Sequence, residues 1–211
     1  QSFGVNKPKI SMTSDPALVL KPADDETLNN FMKQNGLDPD GKYACFMLRN
    51  WIDFKEKSVH IAKCADYIYQ KYGFTPIFVS MNIINDCVPA ELVASSMKSP
   101  YVIINDKVVP DLLIALLSKM QIVFAMRLHG LIFASISGIP ITGISYDPKI
   151  NSFIDYLGYG RCIDLHELTY ENLIEATEYS ISQIDKKEEL MLKSQVLIKK
   201  ENENIDNIKL L

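Results

Sequence analysis

From Tyr43 to about residue 185, short apolar runs alternate with stretches of helical spacing, and that order admits few folds. It predicts an α/β domain built on a doubly wound parallel sheet, because a parallel strand needs a crossover helix to bring the chain back. Residues 43–49 are apolar up to the last one, as a strand covered on both faces requires. Val59, Ala62, Ala65, Ile68, Tyr69 and Tyr72 then recur at helical spacing, and Gly73 is placed to end that helix. The unit repeats with a strand over 75–81 and a helix opening near Asn85-Asp86, then with a short strand over 101–104 and a helix for which Asp111 is the expected N-cap. A fourth strand over 121–126 runs into a helix over 128–137 that is apolar on nearly every side and so belongs in the interior. Gly138 ends it, Pro140 blocks its continuation, and 141–145 supplies a fifth strand.

Helices over 148–157 and 169–184 flank a short strand near 161–164. Residues 185–211 form a long charged helix with Leu190, Leu197, Ile198, Ile205 and Ile208 on one side, expected to pack on something outside the chain. The first forty residues fit the alternation less well: 9–13 reads as a strand, Asp15-Pro16 as a turn and 24–35 as a short helix. The expected division is therefore a connector over 1–40, a domain over 41–184 that carries the site, and a terminal helix over 185–211.

At 211 residues the chain is long enough for one domain with a substantial core. No segment approaches the run of about 18 apolar residues that a membrane span needs, so the chain is predicted to be soluble. It begins Gln-Ser-Phe-Gly, without an initiator Met or the apolar stretch of a signal peptide, and is expected to be cut from a longer chain. Cys45, Cys64, Cys87 and Cys162 are scattered, which fits small buried thiols in a reducing cytosol better than disulfides or zinc. A net charge of −4 and a pI near 5.4 exclude a general nucleic-acid binder. Any anion must therefore meet a local cluster of cations.

In an open parallel sheet that cluster is sought beyond the C-terminal ends of the strands, where helices begin and present unpaired amides. Arg49 and Asn50 end the first strand, Asn82 and Asp86 follow the second, Arg127 and His129 follow the fourth, and Tyr146, Asp147 and Lys149 follow the fifth. Arg127 and His129 stand out because apolar residues flank them on both sides, so a charge there needs a partner. A phosphate or carboxylate is one such partner: Arg127 can grip it with two parallel hydrogen bonds, Gly130 leaves room for the backbone to approach it, and His129 is suited to acid or base work. The other reading is a structural Arg127 paired with a neighbouring Asp and a core His129 satisfied by a carbonyl. Arg49 either faces the cleft or pairs with an acidic neighbour, Trp51 either stacks on a sugar or packs, and Asp147 either orients Lys149 or caps a helix. His60 and His166 read as bystanders, and no carboxylate pair or His/Asp/Glu cluster suggests a metal.

The wider pattern is Met126-Arg127-Leu128-His129-Gly130-Leu131-Ile132-Phe133-Ala134, then Gly138-Ile139-Pro140, then Gly143-Ile144-Ser145-Tyr146-Asp147-Pro148-Lys149. With Asp15-Pro16-Ala17-Leu18, Leu48-Arg49-Asn50-Trp51 and the segment leading to Ser80-Met81, it resembles the polysaccharide pyruvyl transferase family across most of residues 10–160. The resemblance implies transfer of the enolpyruvyl unit of phosphoenolpyruvate onto two sugar hydroxyls, as a cyclic ketal, in cell-surface polysaccharide biosynthesis. It implies a Rossmann-like domain corresponding to the C-terminal lobe of a two-lobed transferase of GT-B type, with the N-terminal lobe of the same chain as its missing partner. Phosphoenolpyruvate is then a co-substrate, and no cofactor is called for. Arg127, His129, Gly130 and Lys149 fall in the donor site with His129 as the acid, and Arg49, Trp51, Tyr146 and Asp147 fall at the acceptor or cleft. The acceptor is expected to be a lipid-linked or nucleotide-linked glycan, and the enzyme cytoplasmic or peripheral at the inner membrane face. Two competing readings stand: a GT-B glycosyltransferase lobe for a nucleotide sugar, for which Asp155 is the candidate carboxylate toward the ribose, and a non-catalytic anion-binding module.

Overall fold

The computed structural model describes residues 14–209, apart from the side chains of 83–85 and 203–209. Six strands, β1 (Tyr43–Met47), β2 (Thr75–Val79), β3 (Val102–Ile104), β4 (Ile122–Ala125), β5 (Ile141–Ser145) and β6 (Arg161–Asp164), form one sheet in the order β3-β2-β1-β4-β5-β6. Every neighbouring pair is parallel. The order reverses between β1 and β4, and the crevice beyond their C-terminal ends is where a doubly wound sheet receives its ligand.

The helices are α1 (Asp25–Gln34), α2 (Phe54–Tyr72), α3 (Ile83–Ala94), α4 (Pro110–Leu117), α5 (Leu128–Ile136), α6 (Pro148–Leu157), α7 (Tyr170–Ile181) and α8 (Lys187–Lys209). They divide between the two faces as the strand period dictates. Tyr43, Cys45 and Met47 of β1 join the core made with α1, α4, α5, α6 and α8, while Ala44 and Phe46 join the core made with α2, α3 and α7. On the second face Phe46 stacks on Phe124 and Phe78 at 5.0 and 5.5 Å, which locks the three central strands together. Of residues 14–40, Leu18, Leu28, Met32 and Leu37 are buried in the core of the first face.

Several expectations need correction at element ends. β1 stops at Met47 and β2 at Val79, so Leu48-Arg49 and Ser80-Met81 are released into the loops beyond the sheet. α3 opens at Ile83 rather than near Asn85-Asp86, with Asp86 one turn in and its carboxylate reaching back to the Asn82 amide at 3.0 Å. Asp111 is not the cap of α4: Val109 holds that position because Pro110, with its preset φ and no N–H to satisfy, takes the first turn. Asp15-Pro16 opens a short 3-10 helix, Pro16–Val19, with the Asp15 carboxylate accepting from the Ala17 amide at 2.9 Å. α7 ends at Ile181, and a 3-10 turn, Ile184–Lys186, separates it from α8. The terminal helix needs no external partner for its inner face: α8 lies on α5, α6 and the 3-10 helix Pro16–Val19, burying Leu190 and Leu197. The expected strand over 9–13 and the side chains of Ile205 and Ile208 lie outside the described residues. Among the described helices none is long and apolar enough to cross a membrane.

Candidate functional site

The polar ends of β1, β2, β4 and β5 meet around a cavity of about 210 Å³, lined by Arg49, Met81, Asn82, Arg127, Leu128, His129, Tyr146 and Lys149. It sits at the reversal of strand order. Of the residues singled out in the sequence, Arg49, Arg127, His129, Tyr146 and Lys149 are brought together there, with Trp51 and Asp147 directly behind two of them.

Arg127 occupies the N-cap position of α5 with an extended backbone, φ −99° and ψ 121°. Its side chain turns away from the helix end and forms a two-pronged ion pair with Asp86: Nε donates to Oδ2 at 3.1 Å and Nη2 donates to Oδ1. The Asp86 side chain is 1% exposed and that of Arg127 19%, so the carboxylate lies behind the guanidinium and only the latter reaches the cavity. An acidic partner for Arg127, one of the two readings open in the sequence, is present, and it takes the fork that the sequence reading assigned to an oxyanion. His129 is not a core histidine. It is exposed in the first turn of α5, its ring 5.9 Å from that of Phe133.

Gly130 departs from expectation. A Cβ there would stand 2.7 Å from Met47 Sδ and 3.2 Å from Ala125 Cβ, and the residue is buried rather than in the cavity lining. Its missing side chain allows α5 to approach β1 and β4, not a ligand to approach the backbone. Its amide is also engaged, donating to the Arg127 carbonyl at 3.0 Å. The amides of Leu128 and His129, by contrast, meet no acceptor among the described residues, and they stand at the positive end of the α5 dipole.

Across the cavity, Arg49 is held by aromatic groups. Its Nη1 donates to the Tyr146 hydroxyl at 2.6 Å, and its guanidinium carbon lies 5.1 Å from the Tyr146 ring centre and 5.5 Å from that of Trp51. The two rings pack at 4.5 Å. Arg49 thus faces the cleft with no carboxylate partner among the described residues. Trp51 packs on Tyr146 while remaining 38% exposed at the rim. Asp147 fills both roles left open for it, capping α6 through the Lys149 amide at 3.0 Å and pairing with Lys149 Nζ at 3.3 Å. The Lys149 amide first, then its ammonium and the charge of Arg49, hold the Asp147 carboxyl below its ordinary value.

Asp155 is exposed on α6 and does not line the cavity, and His60 and His166 lie elsewhere, the latter 3.2 Å from Asp53. The cysteines are free thiols, and burial pushes Cys64 up to about 12 and Cys162 up to about 11, where they are inert as nucleophiles. Among the described residues no group of His, Cys, Asp and Glu could hold a metal ion. The sequence places Asn82 and Asp86 at a strand end and leaves open an acidic partner for Arg127 without identifying it as Asp86, and it gives Met81 no place in the site. A carboxylate in the first turn of an otherwise apolar stretch was the available signal for the partner of Arg127.

The fold is that of one lobe of GT-B transferases and related epimerases. The chain superposes on a glycosyl transferase family 9 protein from Veillonella parvula with a TM-score of 0.55 at 14% identity, over 78% of this chain and 53% of that one. For a UDP-GlcNAc 2-epimerase from Neisseria meningitidis the TM-score is 0.55 at 16% identity, over 80% and 43% of the two chains. For one from Methanocaldococcus jannaschii it is 0.57 at 14%, over 75% and 42%. These identities speak to the fold alone, and the chain spans about half or less of each of those proteins. No curated protein matches the chain. The sequence model of one family, however, covers residues 1–148, which include the loops after β1, β2, β4 and β5: the chain belongs to the polysaccharide pyruvyl transferase family.

Proposed function

We propose that this domain binds phosphoenolpyruvate in the cavity at the reversal of strand order and serves the transfer of its pyruvyl unit to a sugar as a cyclic ketal. The observation that carries the reading is the convergence of Arg49, Arg127, Lys149 and two unpaired α5 amides on a cavity whose lining includes no carboxylate. Phosphoenolpyruvate has two anionic groups, so it needs two grips. The Leu128 and His129 amides with Arg127 suit the phosphate, and Arg49 with Lys149 suits the carboxylate.

In the proposed reaction His129 gives a proton to C3 of the enol, which makes C2 electrophilic. The first sugar hydroxyl adds to C2, and its proton restores His129. The C2–O bond to phosphate then breaks, and the second hydroxyl adds to C2 while its proton leaves with the phosphate. Preorganised cations stabilise the leaving dianion without having to reorient during the step. The division proposed is a donor domain over 41–184, with residues 1–40 leading in from a facing lobe that brings the acceptor, a lipid-linked or nucleotide-linked glycan, at the cytoplasmic face of the membrane. A nucleotide-sugar donor, which the fold alone would also suit, is disfavoured because that reading needs a carboxylate toward the ribose, and Asp155 is not in the lining.

Deleting the gene in the source organism should remove acid-labile, ketal-linked pyruvate from the surface polysaccharide, read as loss of the ketal methyl signal in proton NMR and restored by the wild-type gene. An unchanged pyruvate content in the deletion strain contradicts the reading.

A further inference from the structure

Asp86 has no place in the proposed chemistry, yet it is bound directly to Arg127, which lines the cavity. Its side chain is 1% exposed, it accepts from the Asn82 amide at 3.0 Å, and it holds Arg127 by Nε and Nη2. A carboxylate this buried is tolerated because three N–H donors satisfy it. The consequence for Arg127 is geometric. A guanidinium carries five N–H donors in one plane, and Asp86 takes two of them along one edge, which fixes that plane. Three hydrogens remain, and one from Nη1 with the second from Nη2 forms an edge that can grip an oxyanion end-on. Asp86 lies behind, outside the cavity lining, and Arg127 stands in it.

We propose that Asp86 is a positioning residue for the anion site: it locks the Arg127 guanidinium so that its free edge is presented to the phosphate of the donor. The proposal rests on the donor reading above. It makes a prediction opposite in sign to simple charge balance. A buried carboxylate beside an anion site repels the anion, so a purely electrostatic or structural role requires that neutralising it tighten anion binding or leave it unchanged. A positioning role requires that binding weaken, because Arg127 then has to be ordered at the ligand's expense.

The test is calorimetric titration of the 211-residue chain with inorganic phosphate and with phosphoenolpyruvate, comparing wild type, Asp86→Asn, Arg127→Met and the double variant. We expect Asp86→Asn to raise both dissociation constants about tenfold, which is about 1.4 kcal/mol, and to have no further effect once Arg127 is Met. Tighter or unchanged binding in Asp86→Asn overturns the proposal while leaving the donor reading intact. A wild-type chain that binds neither ligand overturns the donor reading and this inference with it. Should Asp86→Asn fail to fold, the wild-type chain decides. It has three arginines, Arg49, Arg127 and Arg161, so nitrogen-labelled arginine gives few side-chain signals to assign. The Arg127 Nε–H signal should be protected from exchange without ligand and stay in place through a phosphate titration. A signal that is unprotected, or that moves as Asp86 lets go, overturns the proposal.

Discussion

His129→Ala should lower pyruvyl transfer by roughly 10²–10⁴-fold, the range over which a positioned general acid contributes, while leaving stability within about 0.5 kcal/mol. The two expectations separate chemistry from folding. His129 is exposed in the first turn of α5 and makes one ring contact, with Phe133, so its removal opens no cavity, and Ala is the better helix former. The backbone amide assigned to the donor phosphate is kept, so the affinity for phosphoenolpyruvate should change by less than a few-fold. Turnover is read as consumption of phosphoenolpyruvate by the complete enzyme with its acceptor, and affinity by titration. Retained turnover removes His129 from the acid role; affinity lost in step with turnover makes it a binding group instead.

The largest effect on stability is expected at Gly138, where Gly138→Ala should cost about 2–4 kcal/mol, combining left-handed backbone strain and overpacking. The residue has φ +65° at the end of α5, and a Cβ there would lie 2.4 Å from the Lys187 carbonyl oxygen and 2.6 Å from Met191 Cγ. A backbone carbonyl cannot swing aside as a side-chain tip can, so the start of α8 must move. Gly73→Ala and Gly158→Ala are the controls: both glycines have positive φ, but a Cβ meets nothing within 4 Å, so only the strain of about 1 kcal/mol should appear. Urea denaturation of the three variants checks the ranking. Equal losses at all three positions would mean that the contact between Gly138 and α8 is not as close as described.

The middle of the sheet was legible in the sequence because β1, β2, β4 and β5 are covered on both faces. Burial leaves short apolar runs such as 122–125 with no alternation to misread, and the helix after each run is long enough to show its period. The helix starts were harder. Pro110 displaced Asp111 as the expected opening of α4, and Asp86 lies a turn inside α3 because its carboxylate serves the Asn82 amide and Arg127 rather than a helix cap. In the site, the residues were found, but of their partnerships only the local one of Asp147 with Lys149 was named. Arg49, Arg127, His129, Tyr146 and Lys149 sit at strand ends, which strand assignment locates, and all five line one cavity. That Arg127 is already held by Asp86, that Arg49 is held by Tyr146, and that Gly130 serves packing against Met47 depend on which loops the strand order brings together. No local pattern carries that information, since the loops concerned are 41 and 97 residues apart along the chain.

Whether this cavity takes phosphoenolpyruvate is decided by titrating the chain with phosphoenolpyruvate and, separately, with UDP-GlcNAc, with Arg49→Ala as the control. Arg49 is chosen because it has no carboxylate partner among the described residues, so its removal strands no buried charge. Phosphoenolpyruvate should bind saturably, at least tenfold more weakly in Arg49→Ala, and UDP-GlcNAc should not bind at the same concentrations. Binding of UDP-GlcNAc in preference to phosphoenolpyruvate, or phosphoenolpyruvate binding that Arg49→Ala leaves unchanged, would contradict the donor reading.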